Sequence, residues 1–487
     1  MKKQLFFLIL CLCLFFTIIN CGGGGGGESA SIDDNGDSKD NGGDTGIISV
    51  VPEIIENEEE LCLCFTANVA GSTITTIING VLSNIPVLEY SNDGDNWEPF
   101  IVGETIITLA SVGDKVFLRG DNDSFSEASD KVIGFEMTGS IAASGNVMSL
   151  LDKSLQSKTI PNGYCFYGLF RCLSLTRAPA LPATNLTEYC YTYMFAGSGI
   201  TKGPKILAVT LADYCCQGMF LECKSLLEAP ELPATNVALG CYMIMFSNCF
   251  NLKKSPTILP ATTLANQCYQ NMFLNCYNLE TAPQLPATNL AYGCYWSMFN
   301  LTAITEAPEL PATVLAHSCY SDMFAYCSNL KTAPELPATI LANSCYSSMF
   351  MNCSSLEAAP ELPATTLESN CYTNMFYGCK KLTAAPELPA TILEFMCYYS
   401  MFFGCKELTA APYLPASTLS DYCYYNMFRG CSKLNSITVN FSAWSPSNAT
   451  ENWVYGVADS GTFKCPNSLP NTRGVNNIPS AWNKQGL

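Results

Sequence analysis

Apolar residues return in a fixed block along the second half of the chain. A Cys-Tyr pair is followed by a Met-Phe pair, as in Cys371-Tyr372 and Met375-Phe376, then by a short run from Leu382 to Leu388 ending in Pro389. The leading cysteine recurs eleven times, at 165, 190, 215, 241, 268, 294, 319, 345, 371, 397 and 423, a step of 25 to 27 residues. A period of this length predicts a solenoid, in which one repeat cannot bury its apolar face and stacking makes the core. Leu367, Cys371, Met375 and Phe376 share one helical face by their spacing of four. Thr365 sits at an N-cap position with Glu368 three residues later, as in a capping box. Gly378 suits a helix C-terminus. Each unit therefore reads as a short strand, a turn and roughly ten residues of helix, which makes an α/β solenoid of short strands and helices over 149–440. Pro386 and its equivalents at 179, 204, 230, 256, 283, 308, 334, 360 and 412 remove one ladder donor per rung, so the extended segment leans towards polyproline geometry there. Parallel rungs about 4.8 Å apart give a stack on the order of 50 Å long.

The recurring Cys-x-x-Leu-Thr (Cys379 to Thr383), Leu-Pro (Leu388-Pro389) and Met-Phe-x-Gly-Cys (Met375 to Cys379) resemble the BspA-like leucine-rich repeat surface proteins. That family's usual unit runs through Leu-x-x-Ile, Leu-Pro and Ala-Phe-x-Gly-Cys. Here Met-Phe replaces Ala-Phe, from Met219-Phe220 and Met245-Phe246 to Met427-Phe428, and Cys-Tyr stands where the family has an apolar residue, usually Ile. The unit is a few residues longer, and the proline column is extra. The resemblance covers about 270 residues. It implies a leucine-rich repeat stack and a cell-surface protein that binds macromolecules of a host or a neighbouring cell.

The first 21 residues read as an export signal: Lys2 and Lys3, then an apolar run from Leu5 to Ile19, ending at Ile18-Ile19-Asn20-Cys21. This ending resembles a bacterial lipobox, with Asn20 departing from the usual small residue, and it makes Cys21 the candidate lipidation site. The apolar run is short for a membrane span. Gly22 to Gly27 and the acidic stretch after them, residues 22–46, cannot form a core and read as a flexible tether. The expected location is the bacterial outer membrane or cell surface, with a lipid anchor.

Between 47 and 148 the pattern becomes short alternating runs broken by Gly, Asn and Asp, which predicts a small β-sandwich. Strands are expected near Leu61 to Phe65, Val87 to Tyr90, Thr105 to Leu109 and Lys115 to Leu118, with a hairpin turn at Asn92-Asp93-Gly94-Asp95. Ser91-x-Asp93-Gly94-x-x-Trp97 is similar to the Asp-box hairpin of sialidases, but a single copy is a turn. Arg119-Gly120-Asp121 spells an integrin-binding tripeptide and reads more simply as a polar turn closing a strand. Residues 441–487 leave the repeat and hold Trp444, Trp453 and Trp482. Large aromatics suit a cap over the last rung; a sugar-binding platform is the sharper alternative.

The net charge is −18, which disfavours nucleic acid as a partner, since it is bound through basic patches. A second cysteine follows the first by eight residues in most units, as at Cys371 and Cys379. Export favours a disulfide in each repeat; the alternative is a ladder of free, buried thiols. Two units keep the first cysteine and replace the second, with Ser198 and Thr302. Across two helical turns, about 12 Å, a disulfide does not reach, so the free ladder is the favoured reading. The single histidine, His317, leaves little for triads or zinc, and the absence of a P-loop, nucleophile elbow or dinucleotide fingerprint argues against an enzyme. No cofactor or metal is expected. Candidate binding residues are the column Glu231, Glu309, Glu335, Glu361 and Glu387, and a tyrosine column, Tyr320, Tyr346, Tyr372 and Tyr398, expected to be exposed. The expected partner is a host or neighbour-cell protein or glycan. A periplasmic scaffolding lipoprotein and a carbohydrate-capture module are the alternatives.

Overall fold

The expected helix of each repeat is a ribbon of overlapping turns. In the rung at Cys371, the N–H groups of Cys371, Thr373, Met375, Tyr377 and Cys379 each donate to the carbonyl three residues back, at 3.0–3.2 Å. The alternate N–H groups, of Asn370, Tyr372, Asn374, Phe376 and Gly378, donate to Phe395, Cys397, Tyr399, Met401 and Phe403 of the next rung at 2.7–3.0 Å. Every fourth residue is left-handed: Asn370, Asn374 and Gly378 have φ of 59°, 54° and 72°. An α-helix closes its bonds four residues back and keeps them within itself; here half of the donors hold the neighbouring rung. The spacing of four that suggests a helix is the period of this ribbon. Thr365 and Glu368 are accordingly not a capping box: the Glu368 carbonyl accepts from Cys371 in the first turn of the ribbon.

The computed structural model describes residues 61–487, so the export signal, the lipidation site Cys21, the tether and the start of the 47–148 segment lie outside the described residues. Among the described residues there is no α-helix, and one short 3-10 turn, Val147–Leu150. The N-terminal strands are β1 (Leu63–Ala67), β2 (Ser72–Asn79), β3 (Leu88–Ser91), β4 (Glu98–Phe100), β5 (Ile107–Leu109), β6 (Lys115–Gly120), β7 (Val132–Thr138) and β8 (Ile141–Ser144). They form two sheets, one of which, β5-β2-β7, has three strands. The other, β4-β3-β6-β1-β8-β9, has six, the last being β9 (Leu175–Arg177) from the first rung, paired parallel to β8. The four sequence-expected strands are present within a few residues; β2, β4, β7 and β8 are additional.

The extended part of each repeat alternates as a strand does, with Leu388 and Ala390 buried and Glu387, Pro389 and Thr391 exposed. It pairs through isolated bridges such as Val314↔Ile340 and Thr332↔Ala358. Each proline lacks the donor a continuous ladder needs. Regular strands resume at the C-terminal end: β10 (Ala410–Leu414), β11 (Ser436–Val439), β12 (Thr462–Cys465) and β13 (Asn483–Gly486) form a parallel sheet in that order.

Two aromatic columns run through the core. The phenylalanine of each Met-Phe pair stacks on the next, from Phe170 through Phe195, Phe220 and Phe246 to Phe428, with centroids 5.4–5.8 Å apart. At the N-terminal end Phe170 stacks on Phe135 of β7 at 5.5 Å, so the sandwich core and the rung core are continuous. The tyrosine column runs from Tyr242 to Tyr424 at 5.7–6.0 Å; before it, Cys216 stands where the other rungs carry the aromatic residue. Trp453 lies against the last member of both columns, 6.3 Å from Tyr424 and 6.1 Å from Phe428.

The cysteines of the described residues are free thiols. Those at the second position form a hydrogen-bonded ladder: the Sγ–H of Cys353, Cys379, Cys405 and Cys431 donates to the Phe324, Phe350, Phe376 and Phe402 carbonyls at 3.0–3.1 Å. Burial keeps these thiols protonated, pushing Cys223 and Cys327 up to about 11. Ser198 and Thr302 occupy the same column, and their hydroxyls meet the Cys223 and Cys327 sulfurs at 3.5 and 3.3 Å. The position thus holds small side chains that carry a hydrogen-bonding group. Cys379→Ser is expected to fold with a loss below about 1 kcal/mol, and Cys379→Ala to lose about 1–3 kcal/mol because a buried carbonyl loses its second donor. Thermal denaturation of the two variants checks this order.

Candidate binding surface

The rungs repeat their outward positions in register, so each outward residue type becomes a column. Glu231, Glu309, Glu335, Glu361 and Glu387 are all exposed on the extended side, flanked by the buried leucine that follows each of them. The Glu231 carboxylate accepts from the Thr257 N–H at 3.1 Å and from its hydroxyl at 2.9 Å in the next rung. Glu309, Glu335, Glu361 and Glu387 are consecutive, and Val314, Ile340 and Ile392 add exposed apolar side chains on that side at 53%, 58% and 71% exposure.

The tyrosine column is not on this surface. Tyr320, Tyr346, Tyr372 and Tyr398 are each 1% exposed. A ribbon with a period of four turns two adjacent residues inward together, so the Tyr of Cys-Tyr enters the core beside its cysteine just as Phe does beside Met. The aromatics that do reach the outer edge of the ribbon occupy other positions. Tyr377 stacks on Phe403 at 4.5 Å and Tyr399 on Tyr425 at 4.8 Å, and Tyr164, Tyr189 and Tyr214 form a second short stack at 4.6 and 5.0 Å. All of these are half-buried. Their signal in the sequence is an aromatic at the same non-core offset in neighbouring units, for example Tyr377 and Phe403 directly after Met-Phe.

The C-terminal tryptophans serve the cap. Trp453 and Trp482 are 0% and 2% exposed, and the indole N–H groups of Trp444, Trp453 and Trp482 donate to the carbonyls of Pro470, Asn477 and Ala458. The ring faces of Trp453 and Trp482 are therefore not available as a sugar platform, and Trp444 is half-buried against Phe441 and Trp453. In the sandwich, Asp93 accepts from the N–H groups of Asn96 and Asp95 at 2.8 and 2.9 Å. These bonds, with the Asn96 side chain, hold its carboxyl well below the usual carboxylate range. Ser91 Oγ accepts from Gly94 N–H at 2.9 Å, which closes the expected hairpin between β3 and β4. Arg119 of the Arg-Gly-Asp sequence donates to Glu89 at 3.0 Å and lies 3.7 Å over the Trp97 ring, and Asp121 accepts from Lys153 N–H at 3.0 Å. Both charged ends of that tripeptide are engaged by the protein itself. His317 is exposed beside Tyr292, 5.2 Å between centroids. Among the described residues no group of three or more His, Cys, Asp or Glu is placed to hold a metal ion, and no helix is long and apolar enough to cross a membrane.

No protein-family model matches the sequence, and no curated protein matches it. Among solved structures, the chain is similar to a leucine-rich repeat protein from Bacteroides ovatus, with 19% identity and a TM-score of 0.44 over 71% of this chain and 83% of that one. It is also similar to a leucine rich cell surface protein from Faecalibacterium prausnitzii, with 18% identity and a TM-score of 0.23 over 52% of this chain and 83% of that one. These two solved structures are thus a leucine-rich repeat protein and a leucine rich cell surface protein, at low identity in both cases.

Proposed function

We propose that this chain is a lipid-anchored binding protein of a bacterial cell surface, held through Cys21 and contacting a protein or glycan of a host or neighbouring cell with its repeat surface. Its role is adhesion without catalysis. The observation that carries this reading is the register of the rungs. Outward residues fall into long columns, with Glu309, Glu335, Glu361 and Glu387 exposed in succession, and a stack of such columns offers a macromolecule many equivalent contacts along one line. The export signal and the lipobox-like ending at Cys21 supply the route to the surface. Replacing Glu231, Glu309, Glu335, Glu361 and Glu387 together by Gln leaves exposed positions exposed, so the melting temperature should not fall. Adhesion of cells bearing the variant to host-cell monolayers should drop by roughly tenfold if the column makes the contact. Unchanged adhesion removes the column from the binding surface.

A further inference from the structure

Near the C-terminal end of the stack, four cations share one edge without a partner carboxylate. Lys380, Lys381 and Lys406 are exposed and Arg429 is half-buried; among the described residues none of the four makes a salt bridge. The neighbouring Lys433 is paired with Glu407 at 2.5 Å. The chain as a whole holds 24 Lys and Arg against 42 Asp and Glu, so an unneutralised basic strip runs against its composition. The two preceding rungs carry neutral residues at the positions of Lys380 and Lys381, Ser328-Asn329 and Ser354-Ser355, and among the rungs before them Lys224 stands at the Lys380 position, over the Phe250 ring. Like charges facing each other across neighbouring rungs are destabilising, and nothing in the packing requires them.

The surroundings of the strip are specific as well. Tyr377, Phe403, Arg429 and Tyr455 succeed one another in one column: Tyr377 stacks on Phe403, and the Arg429 guanidinium lies 5.7 Å from the Phe403 centroid and 4.9 Å from that of Tyr455. Arg429 Nη1 donates to Asn426 Oδ1 at 3.4 Å. The guanidinium is thus placed between two rings, which lowers the entropy lost when it pairs with an anion. The next column is Gly378, Gly404 and Gly430, whose N–H groups donate to the Phe403, Arg429 and Tyr455 carbonyls at 2.7–2.8 Å. Gly378 is buried beneath the Asn352 side chain, whereas Gly404 and Gly430 are half-buried and meet no side chain, so a ligand can lie against the backbone at these two glycines, between Phe403, Arg429 and Lys406.

We propose that the rungs from Cys371 to Cys431 bind an acidic polysaccharide, its carboxylates or sulfates paired with Lys380, Lys381, Lys406 and Arg429 and its sugar rings over Gly404 and Gly430. The proposal rests on the reading of the repeat surface as the binding surface and gives it a site and a ligand class. Charge complementarity selects a polyanion. Register selects a polysaccharide over an acidic peptide. Side chains on one side of an extended peptide recur about every 6.6–6.8 Å, out of step with rungs whose rings stack at 4.5–5.8 Å, whereas one sugar residue spans about one rung.

The test is affinity electrophoresis of the full chain through gels containing polygalacturonate or heparin, with neutral dextran and polyglutamate as comparisons. Retardation is expected with polygalacturonate or heparin, falling as salt is raised, and absent with dextran. Lys406→Gln combined with Arg429→Gln should weaken the interaction roughly tenfold at an unchanged melting temperature. Arg429→Lys, which keeps the charge and loses the flat fork, should fall between the two. The proposal is overturned by no retardation in either polyanion, by equal retardation in dextran or polyglutamate, or by a Lys406→Gln/Arg429→Gln variant that behaves as the native chain. If polyanion binding is absent while cells bearing the native protein still adhere, the site is wrong and the broader binding reading stands. If adhesion is absent too, both fall.

Discussion

Trp453→Ala is expected to cost about 3–5 kcal/mol, with the loss concentrated in the last rungs. Trp453 is fully buried and covers both aromatic columns at their C-terminal end, meeting Tyr424 and Phe428, and also Trp444 at 6.1 Å and Phe463 at 6.1 Å within the cap. Its indole N–H donates to the Asn477 carbonyl at 2.9 Å, which ties the cap's last segment to the stack. In a solenoid each rung is stabilised by its neighbours, so a rung without a cover frays and exposes the next. Hydrogen exchange should show the loss directly: amides from Cys397 to Cys431 should exchange faster in the variant, while those of the sandwich strands β1 and β6 keep their native protection. Equal loss of protection over the whole chain would mean that the stack unfolds as one unit and that Trp453 has no local capping role.

Tyr320→Ala in the middle of the stack is expected to cost a similar amount, about 3–5 kcal/mol, and Tyr320→Phe to cost nothing. Tyr320 stacks on Tyr295 and Tyr346 at 5.8 Å on both sides, and truncation breaks the column and leaves a cavity that rigid neighbouring rungs cannot close. The hydroxyl is different. Tyr191, Tyr242, Tyr269, Tyr295 and Tyr320 bury hydroxyls that have no hydrogen-bond partner among the described residues, and a buried donor without a partner is a burden of about 1–3 kcal/mol. Removing the oxygen alone keeps the stack. Urea denaturation of both variants gives the two values. A Tyr320→Ala cost near zero would contradict the buried column and return this tyrosine to the surface.

The period, the core residues and the break at either end of the repeat are legible in the sequence. The ribbon is not, because over the nine residues from Cys371 to Cys379 a spacing of four fits a helix and a chain of turns equally well. A discriminating signal does exist: Asn370, Asn374 and Gly378 stand four apart, and each is a residue that tolerates the left-handed region. A helix gains nothing from Asn or Gly once per turn, whereas a turn ribbon favours them; the signal is confined to some rungs, since Met396 and Ser400 take the same left-handed positions in the next one. The same error put the tyrosines outside. On a helix the residue after an inward cysteine points sideways; in the ribbon the pair turns inward together, so Tyr320, Tyr346, Tyr372 and Tyr398 are core. The glutamate column stays exposed because the extended segment alternates with period two, and there a Glu-Leu-Pro-Ala pattern reads correctly. The thiol ladder was legible for a different reason than geometry suggests. Ser198 and Thr302 replace cysteine in its column while the first cysteine of the unit is kept, which does not fit an obligatory disulfide, and all three side chains are small and carry a hydrogen-bonding group.

The proposed adhesive role requires a protein that works outside the cell, and orientation decides between that reading and a periplasmic scaffold with the same stack. Protease shaving of intact cells, followed by blotting for the chain, measures orientation directly. The account predicts that the protein is cleaved while periplasmic markers survive. A chain that stays intact until the outer envelope is breached faces inward, which would contradict the adhesive role and leave the stack as a periplasmic scaffold.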